Sequence, residues 1–337
     1  MLKRIIKKLL IFIIPFVLGV AFFVAFEPYN YWLIKDNSSY LGRAVYSVRR
    51  LKSGRCKNII LGNSLMANWN EDYVEQISGV DYDNLAYGGA SLYETVEEFW
   101  YAAEHCDLER VVIGVNFYTM NTEMRSETRF QNTVKLAENP LSFIGGASYW
   151  SDAITNFNVK GVNLIADVTG NEQYRRRVDD PSSMNQNLST EEIAIYNQAG
   201  EREDIKAYGA TIYDQCAEYG FNFDYIDALT EIADYCNDND IEIIFVISNC
   251  NKVLWDNVIY KVGLESYMAK YKDALKSCAT VYDFEFDNEQ AANDDVYLDG
   301  MHLVRDEKMR LIRVVFGGEA DKNCMITAKE DYIKNNA

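Results

Sequence analysis

Short apolar segments alternate with helical stretches along most of the chain, and this alternation constrains the fold more than any other feature. Five segments have the length and the β-branched or aromatic content of strands: Lys57–Leu61, Val80–Leu85, Arg110–Val115, Ile241–Ser248 and Val281–Phe286. Helical periodicity fills the stretches between most of them. The pattern predicts an α/β fold with a parallel five-stranded sheet covered by helices on both faces. Such folds bind ligands at the carboxyl ends of the strands.

One connection in this pattern is much longer than the others. About residues 120–220 separate the third strand from the fourth, with predicted helices at Tyr149–Val168 and from Ser189, which has capping-box spacing to Glu192. A connection of that length usually carries function, so we interpret it as a helical cap over the strand ends. The main domain is therefore predicted at 57–317, and the polar tail at 318–337 gives no clear pattern.

The N-terminus has the composition of a membrane anchor. Four basic residues precede an uncharged apolar run from Leu9 to Phe26, and its 18 residues would span about 27 Å as a helix. That length is close to the ~30 Å of a bilayer core, and a basic flank stays in the cytoplasm. We therefore predict a transmembrane segment within 1–26, a juxtamembrane stalk at 27–56 and single-pass cell-membrane localisation with the main domain outside. The alternative is a cleaved signal peptide.

Charge and residue content exclude several classes of function. None of the 51 acidic residues and four of the 33 basic residues lie in 1–26, so the remainder carries a net charge of −22. A domain this acidic is not expected to bind nucleic acid. The chain has seven cysteines, none at C-x-x-C spacing, and only two histidines, so we expect no metal site, no cofactor and mostly buried thiols.

Four short stretches near predicted strand ends carry the parts of a serine acyl-transfer site. Ser64 is the candidate nucleophile, with His302 as its base and Asp299 to orient the imidazole. A tetrahedral oxyanion needs preorganised donors. The backbone N–H groups of Ser64 and Gly89 and the side-chain amide of Asn116 are the candidates.

The order and spacing of these residues resemble the SGNH (GDSL-type) hydrolase superfamily, which is named for Ser, Gly, Asn and His in four blocks. The resemblance extends from about Lys57 to Phe316, with the insert outside it, and it implies a flavodoxin-like three-layer α/β/α sandwich. Two positions depart from the family pattern. Asn63 replaces the aspartate of the first block, and Phe117 replaces an aspartate that often follows the third-block asparagine.

Together with a single membrane anchor, this pattern is similar to an envelope branch of the superfamily. That branch includes the teichoic-acid D-alanyl transfer protein and the alginate O-acetylation proteins. The resemblance implies O-acyl transfer to, or ester removal from, a cell-envelope polysaccharide or teichoic acid. It also implies a membrane-bound O-acyltransferase as a possible partner. Two other functions stay open, an esterase or lipase for small esters and a non-catalytic glycan-binding scaffold.

Several positions have competing interpretations. Ser64 could simply cap a helix predicted over Leu65–Ile77. Gly88 competes with Gly89 for the oxyanion role, and Asn116 could serve only its own loop. Asp294 and Asp295 compete with Asp299 as the acid that orients the base, and His105 is the only other histidine. The basic cluster Arg175–Arg177 is either a solvated loop or a ligand contact.

Overall fold

The computed structural model describes residues 2–35, 43–124, 129–171, 190 and 202–336. Within it the chain forms two compact units. Met1–Arg49 with Gln131–Asp180 form the first, called here the helical unit. Arg50–Phe130 with Pro181–Ala337 form the second, called here the sheet unit.

The helical unit is built around a small aromatic core. Phe23 and Tyr31 are fully buried, and the Tyr31 ring stacks on Phe143 with 4.2 Å between centroids. The Asn156 amide donates to the Phe26 carbonyl oxygen at 2.7 Å. The helices that contribute to this unit are α1 (Leu2–Phe26), α2 (Arg43–Lys52), α6 (Arg129–Glu138), α7 (Pro140–Gly145) and α8 (Ala147–Thr169).

The predicted transmembrane segment and single-pass membrane localisation are wrong. No helix in the described part of the chain is long and apolar enough to cross a membrane. Near the C-terminal end of α1, Phe23 packs against Phe143 and Trp150 of its own unit. The similarity to the envelope branch depended on that topology together with the order of the sequence blocks, and the topology does not support it.

A six-stranded sheet forms the centre of the sheet unit. The strand order is β2-β1-β3-β4-β5-β6, and the first five strands run parallel. The order 2-1-3-4-5 is that of flavodoxin-like folds. The strands are β1 (Asn58–Leu61), β2 (Asp83–Asn84), β3 (Arg110–Val115), β4 (Glu242–Ile247), β5 (Thr280–Asp283) and β6 (Met325–Thr327).

The prediction of a purely parallel five-stranded sheet is therefore wrong at one edge. β6 pairs antiparallel with β5, with Val281 opposite Thr327 and Asp283 opposite Met325. This strand comes from the polar tail, and its three residues, none of them buried, are too few to show a recognisable period. A final helix, Lys329–Asn336, follows it.

Helices cover both faces of the sheet, because side chains alternate along each strand. Ile59, Ile113 and Phe245 belong to one core, whereas Ile60 and Val112 belong to the other. The first core is covered mainly by α5 (Leu92–His105), α10 (Phe223–Asp238) and α13 (Glu265–Cys278). The second is covered by α4 (Glu71–Ser78) and α14 (Arg305–Gly317). The other α-helices among the described residues are α3 (Ser64–Ala67), α9 (Glu203–Cys216), α11 (Lys252–Leu254), α12 (Tyr260–Val262) and α15 (Lys329–Asn336).

The local predictions hold where the periodicity was long and fail where it was interrupted. Predicted helix Tyr149–Val168 lies within α8. Predicted helix Leu65–Ile77 is two helices, because Asn68 ends α3 and the Asn70 side chain caps α4 by accepting from the Tyr73 N–H at 2.8 Å. The predicted Ser189 capping box and the Arg175–Arg177 cluster lie outside the described residues. All seven cysteines are free and buried.

Candidate active site

Ser64 lies at the first position of α3, directly beyond the carboxyl end of β1. Gly62 makes the turn with a φ of 140°, a conformation that favours glycine. Asn63 caps the helix, and its side chain accepts from the Leu65 N–H at 3.0 Å. Asn63 therefore has a local structural role. Capping by Asn63 leaves the Ser64 side chain free to point away from its own backbone.

The body of α3 sits close against the sheet because β3 carries a glycine. A Cβ atom at Gly114 would lie 2.2 Å from Cγ of Met66, which no real contact allows. Met66 is fully buried in this position. Because Gly114 has no side chain, the helix that carries Ser64 can pack closely against β3.

The structure brings Ser64, His302 and Asp299 together in a linear arrangement. The Ser64 hydroxyl lies 2.8 Å from Nε2 of His302, and Nδ1 of His302 lies 2.7 Å from Oδ2 of Asp299. Residues 64 and 302 are 238 positions apart in the chain, so only the fold makes this contact. The geometry is that of a hydroxyl, a base and an acid that orients the base.

The Asp299 side chain is fixed by three hydrogen bonds. Its Oδ1 accepts from the backbone N–H groups of Met301 and His302, both at 2.8 Å. Burial by itself would raise the pKa of Asp299, but the hydrogen bonds and charge interaction from His302 outweigh burial and hold that pKa below its ordinary value. Asp299 is therefore an ionised acceptor at neutral pH.

Gly89 lines the same cavity as Ser64 and His302, and Gly88 does not. Its φ of 67° lies in the left-handed region, which favours glycine at this turn. Arg129 stabilises this turn by donating to the Gly89 carbonyl oxygen at 2.7 Å. The same guanidinium makes an ion pair with the fully buried Glu94. Of the two candidate glycines, Gly89 is therefore the one that lies at the cavity.

Asn116 follows β3 and is buried, but it does not line the cavity. Its Oδ1 accepts from the Thr119 N–H at 3.1 Å and caps a 3-10 helix at Phe117–Met120. Thr119 and Tyr118 from that helix line the cavity instead. The loop role and the oxyanion role are compatible, because the cap uses only the amide oxygen.

All three predicted oxyanion donors have hydrogen-bonding capacity to spare. Within the described residues, the backbone N–H groups of Ser64 and Gly89 and the amide nitrogen of Asn116 donate to no protein acceptor. Donors without internal partners at a helix start and in a left-handed turn are those that bind an incoming oxyanion.

A small cavity lies between Ser64, Gly89 and His302. Its volume is about 50 Å³. Besides Ser64, Gly89 and His302, its walls include Tyr118, Met124 and Tyr208. The Tyr208 ring lies 6.4 Å from the His302 ring in an edge-on arrangement. Met124 and Tyr208 come from within the predicted insert, so part of that connection does reach the site.

Arg202 is a residue that the sequence did not indicate. Its guanidinium donates to the carbonyl oxygens of Asp294, Tyr297 and Leu298 at 3.2, 3.2 and 2.8 Å, and it is held by Asp204 at 2.6 Å. Arg202 thus holds in place residues 294–298, which directly precede Asp299. No local pattern marks it, since its partners are main-chain atoms more than 90 residues away.

A buried polar network stabilises the turn that follows Asn116. The fully buried Glu285 accepts from the Phe117 N–H at 3.1 Å, and the Tyr219 hydroxyl donates to the Phe117 carbonyl oxygen at 2.5 Å. Tyr271 donates to the same carboxyl group. Burial raises the pKa of Glu285 to about 7. Phe117 is therefore held in this network by its backbone N–H and carbonyl groups.

The competing candidates lie elsewhere. Asp294 accepts from the Asn251 amide at 2.8 Å, so it is engaged away from His302. His105 ends α5, where its Nδ1 lies 2.9 Å from the Tyr101 carbonyl oxygen. Among the residues that the structure describes, no group of three or more His, Cys, Asp or Glu side chains could hold a metal ion.

Comparisons with known proteins add little to what this geometry shows. No protein-family model matches the sequence, and no curated protein matches it. One solved structure that this chain matches is that of a Bacteroides fragilis protein described as a "putative acylhydrolase". The TM-score is 0.36 at 11% sequence identity, and the match covers 84% of this chain and 99% of that chain. Similarity at this level supports neither a substrate nor a mechanism here.

Proposed function

We propose that this protein is a serine-dependent acyl-transfer enzyme of the SGNH type, an ester hydrolase or an O-acyltransferase. The observation that carries the proposal is the Ser64–His302–Asp299 arrangement, with contacts of 2.8 and 2.7 Å. A hydroxyl is a weak nucleophile until a base removes its proton, and a histidine held by a carboxylate is suited to that task.

In the first half-reaction the Ser64 oxygen attacks the carbonyl carbon of an ester. His302 accepts the serine proton on Nε2, while Asp299 keeps the other ring proton on Nδ1 and stabilises the imidazolium. Negative charge on the carbonyl oxygen would be held by the free N–H groups of Ser64 and Gly89 and by the Asn116 amide. Loss of one such donor typically costs about 3–4 kcal/mol of transition-state stabilisation.

The intermediate then collapses, and His302 returns its proton to the departing alcohol oxygen. An acyl group remains on Ser64. Water or an acceptor hydroxyl, deprotonated by His302, attacks the acyl carbonyl carbon and releases the serine. Water as acceptor gives an esterase, and a sugar hydroxyl gives an O-acyltransferase. A polysaccharide acceptor is a prediction from the sequence resemblance.

The test is to trap the acyl-enzyme. The full-length protein is incubated with p-nitrophenyl acetate and its intact mass is measured. We expect an adduct of about 42 Da, an acetyl group in place of one hydrogen on a single nucleophile. The adduct should disappear in Ser64→Ala and form far more slowly in His302→Ala. Ser277→Ala, an exposed serine on α13 that donates only to its own helix, is the matched control.

The result also separates the candidate functions. Slow release of the acetyl group to water with faster release to an added polysaccharide would identify a transferase, and fast release to water an esterase. If the folded protein forms no adduct with a panel of acyl donors, and Ser64→Ala changes no ester content in the producing cells, the proposal fails. A non-catalytic glycan-binding scaffold would then be the better description.

A further inference from the structure

Arg129, the first residue of α6, contacts the turn that carries Gly89 on both sides of Gly88. Its Nη2 atom donates to the Gly89 carbonyl oxygen at 2.7 Å. Its guanidinium carbon also lies over the Tyr87 ring, 5.3 Å from the ring centroid. The side chain of Arg129 therefore limits how far the peptide groups around Gly88 can rotate.

The same guanidinium is attached to the start of α5. Nε and Nη2 of Arg129 donate to the two carboxylate oxygens of Glu94, both at 2.6 Å. The fully buried Glu94 also accepts from the Ser91 N–H at 2.9 Å, as part of the capping box that begins α5. A bidentate pair between a guanidinium and a carboxylate is strong and directional. Through this pair the Gly89 carbonyl group is held at a fixed position relative to α5.

The turn itself is easy to deform, because it contains two adjacent glycines. Gly89 has a φ of 67°, and glycine adopts positive and negative φ about equally readily. A backbone hydrogen bond from the Ala90 N–H to the Tyr87 carbonyl oxygen, at 3.2 Å, closes the turn. Rotation of the peptide group between Gly88 and Gly89 would keep this hydrogen bond but would change the direction of the Gly89 N–H.

Tyr87 also connects this turn to the turn that precedes the candidate nucleophile. Its N–H donates to the Gly62 carbonyl oxygen at 3.2 Å, and Gly62 makes the turn that leads to Ser64. Arg129 thus contacts one residue that is bonded to the Ser64 turn and one residue whose own N–H has no protein acceptor. This arrangement is suited to keep the Gly89 N–H at a constant distance from Ser64.

We propose that Arg129 is a positioning residue for acyl transfer, which holds the Gly89 N–H where it can donate to the oxyanion. Arg129 does not line the cavity at Ser64 and acts through the Gly89 carbonyl oxygen. This inference rests on the proposed function, but the effect of Arg129 on the turn can be measured without any turnover.

The first experiment compares two esters in Arg129→Lys. Lysine keeps the positive charge beside Glu94, but its compact ammonium cannot make the bidentate pair and reach Gly89 at once. The substrates are p-nitrophenyl acetate and its thiono analogue, in which sulfur replaces the carbonyl oxygen. Sulfur is a weak hydrogen-bond acceptor, so the thiono ester gains little from oxyanion donors.

In Arg129→Lys we expect kcat for the oxygen ester to fall by about ten- to a hundredfold, with KM little changed. For the thiono ester kcat should fall by about threefold or less, because the lost donor contributes little to that reaction. An equal fall for both esters would show a general loss of structure and would overturn the proposal, as would an unchanged kcat.

Arg110→Lys is the matched control. Arg110 is the first residue of β3, at the edge of the sheet opposite to the edge that carries Ser64, and it pairs with Glu242 at 3.0 Å. This variant makes the same chemical change at an arginine–glutamate pair away from the cavity. Both kcat values should stay as in the wild-type protein.

The second experiment measures hydrogen exchange and needs no substrate. The backbone N–H groups of Ala90 and Ser91 both donate within residues 87–94. They should exchange about tenfold faster in Arg129→Lys, because local opening of the turn becomes easier. They should exchange at the wild-type rate in Arg110→Lys. Equal exchange in the wild-type protein and Arg129→Lys would contradict the proposal.

The two proposals can fail separately. If the wild-type protein forms no Ser64 adduct, the proposed function fails, and exchange at Ala90 and Ser91 alone decides whether Arg129 holds the turn. If the adduct forms and Arg129→Lys acylates both esters as the wild-type protein does, the enzyme stands and the positioning role is overturned. Loss of the preference for the oxygen ester in Arg129→Lys, with a normal Ser64 adduct in the wild-type protein, supports both.

Discussion

Replacing Asp299 with asparagine would separate its two roles, because its two oxygens have different partners. Oδ1 accepts from two backbone N–H groups at 2.8 Å, and Oδ2 accepts from Nδ1 of His302 at 2.7 Å. An asparagine can keep its oxygen toward the backbone donors. Its NH2 group would then face Nδ1 of His302, donor against donor.

To avoid that clash the imidazole must change tautomer, with the proton moving to Nε2. Nε2 would then donate to the Ser64 hydroxyl and could no longer accept its proton. In serine proteases the same change lowers kcat by about 10⁴-fold with the geometry kept. We therefore expect kcat to fall by about 10³- to 10⁴-fold, or about 4–5.5 kcal/mol.

The expected effect on stability is much smaller. One charge-assisted hydrogen bond is lost, typically about 1.5–3 kcal/mol, and the partial exposure of both side chains, 23% and 29%, lowers that figure to about 1–2 kcal/mol. The carboxylate's pKa is held below its ordinary value, so its contribution is present above the unfolded pKa. It is lost as the pH falls through the folded pKa.

The assay compares burst acylation by p-nitrophenyl acetate with urea unfolding for Asp299→Asn. Asp294→Asn makes the same chemical change in the same loop, but at a side chain bonded to Asn251, and is the control. The reasoning is refuted if Asp299→Asn keeps more than a tenth of the wild-type acylation rate, or if Asp294→Asn loses as much.

Two further predictions concern residues that act through the backbone. Arg202→Ala should lower kcat by about ten- to a hundredfold with little change in KM, because it frees the carbonyl oxygens that lead into Asp299. Added guanidinium at millimolar concentration should restore part of kcat, and unchanged kcat in the variant would contradict the positioning role. The pKa of Glu285 is raised from 4.5 to about 7, so the folded protein keeps a proton that the unfolded chain loses across that interval. Stability should therefore fall as the pH rises from about 4.5 to 7, by up to about 3 kcal/mol. Glu285→Gln should flatten this slope in urea unfolding at pH 5 and 7.5, and an equal slope in both proteins would show that another group causes it.

The sequence predicted the parallel strands because short apolar segments that alternate with helical stretches are compatible with few folds other than a parallel sheet covered by helices. The five predicted strands all occur, and the carboxyl ends of β1 and β3 carry Ser64 and Asn116 as expected. The candidate roles of Ser64 as nucleophile and His302 as base were inferred from the order and spacing of the four short stretches in the sequence. Their actual contact, 2.8 Å across 238 positions, could not be read from either.

The failures have common physical causes. β6 is three residues long and lies at an edge, where pairing with one neighbour needs no strong pattern. The membrane prediction depended on the apolar run within α1 alone, but no helix among the described residues is long and apolar enough to cross a membrane. Asn68 and Asn70 divided a predicted helix because side-chain caps compete with helix continuation.

The sequence by itself determined the alternation of strands and helices and the identities of the candidate reactive groups, because each short segment carries its own periodicity and residue chemistry. Only the tertiary structure decided which Asp faces His302, which glycine lines the cavity, and how Arg202 and Glu285 hold the loops. Those choices depend on distances between segments far apart in the chain, and such distances are set by packing of the whole core.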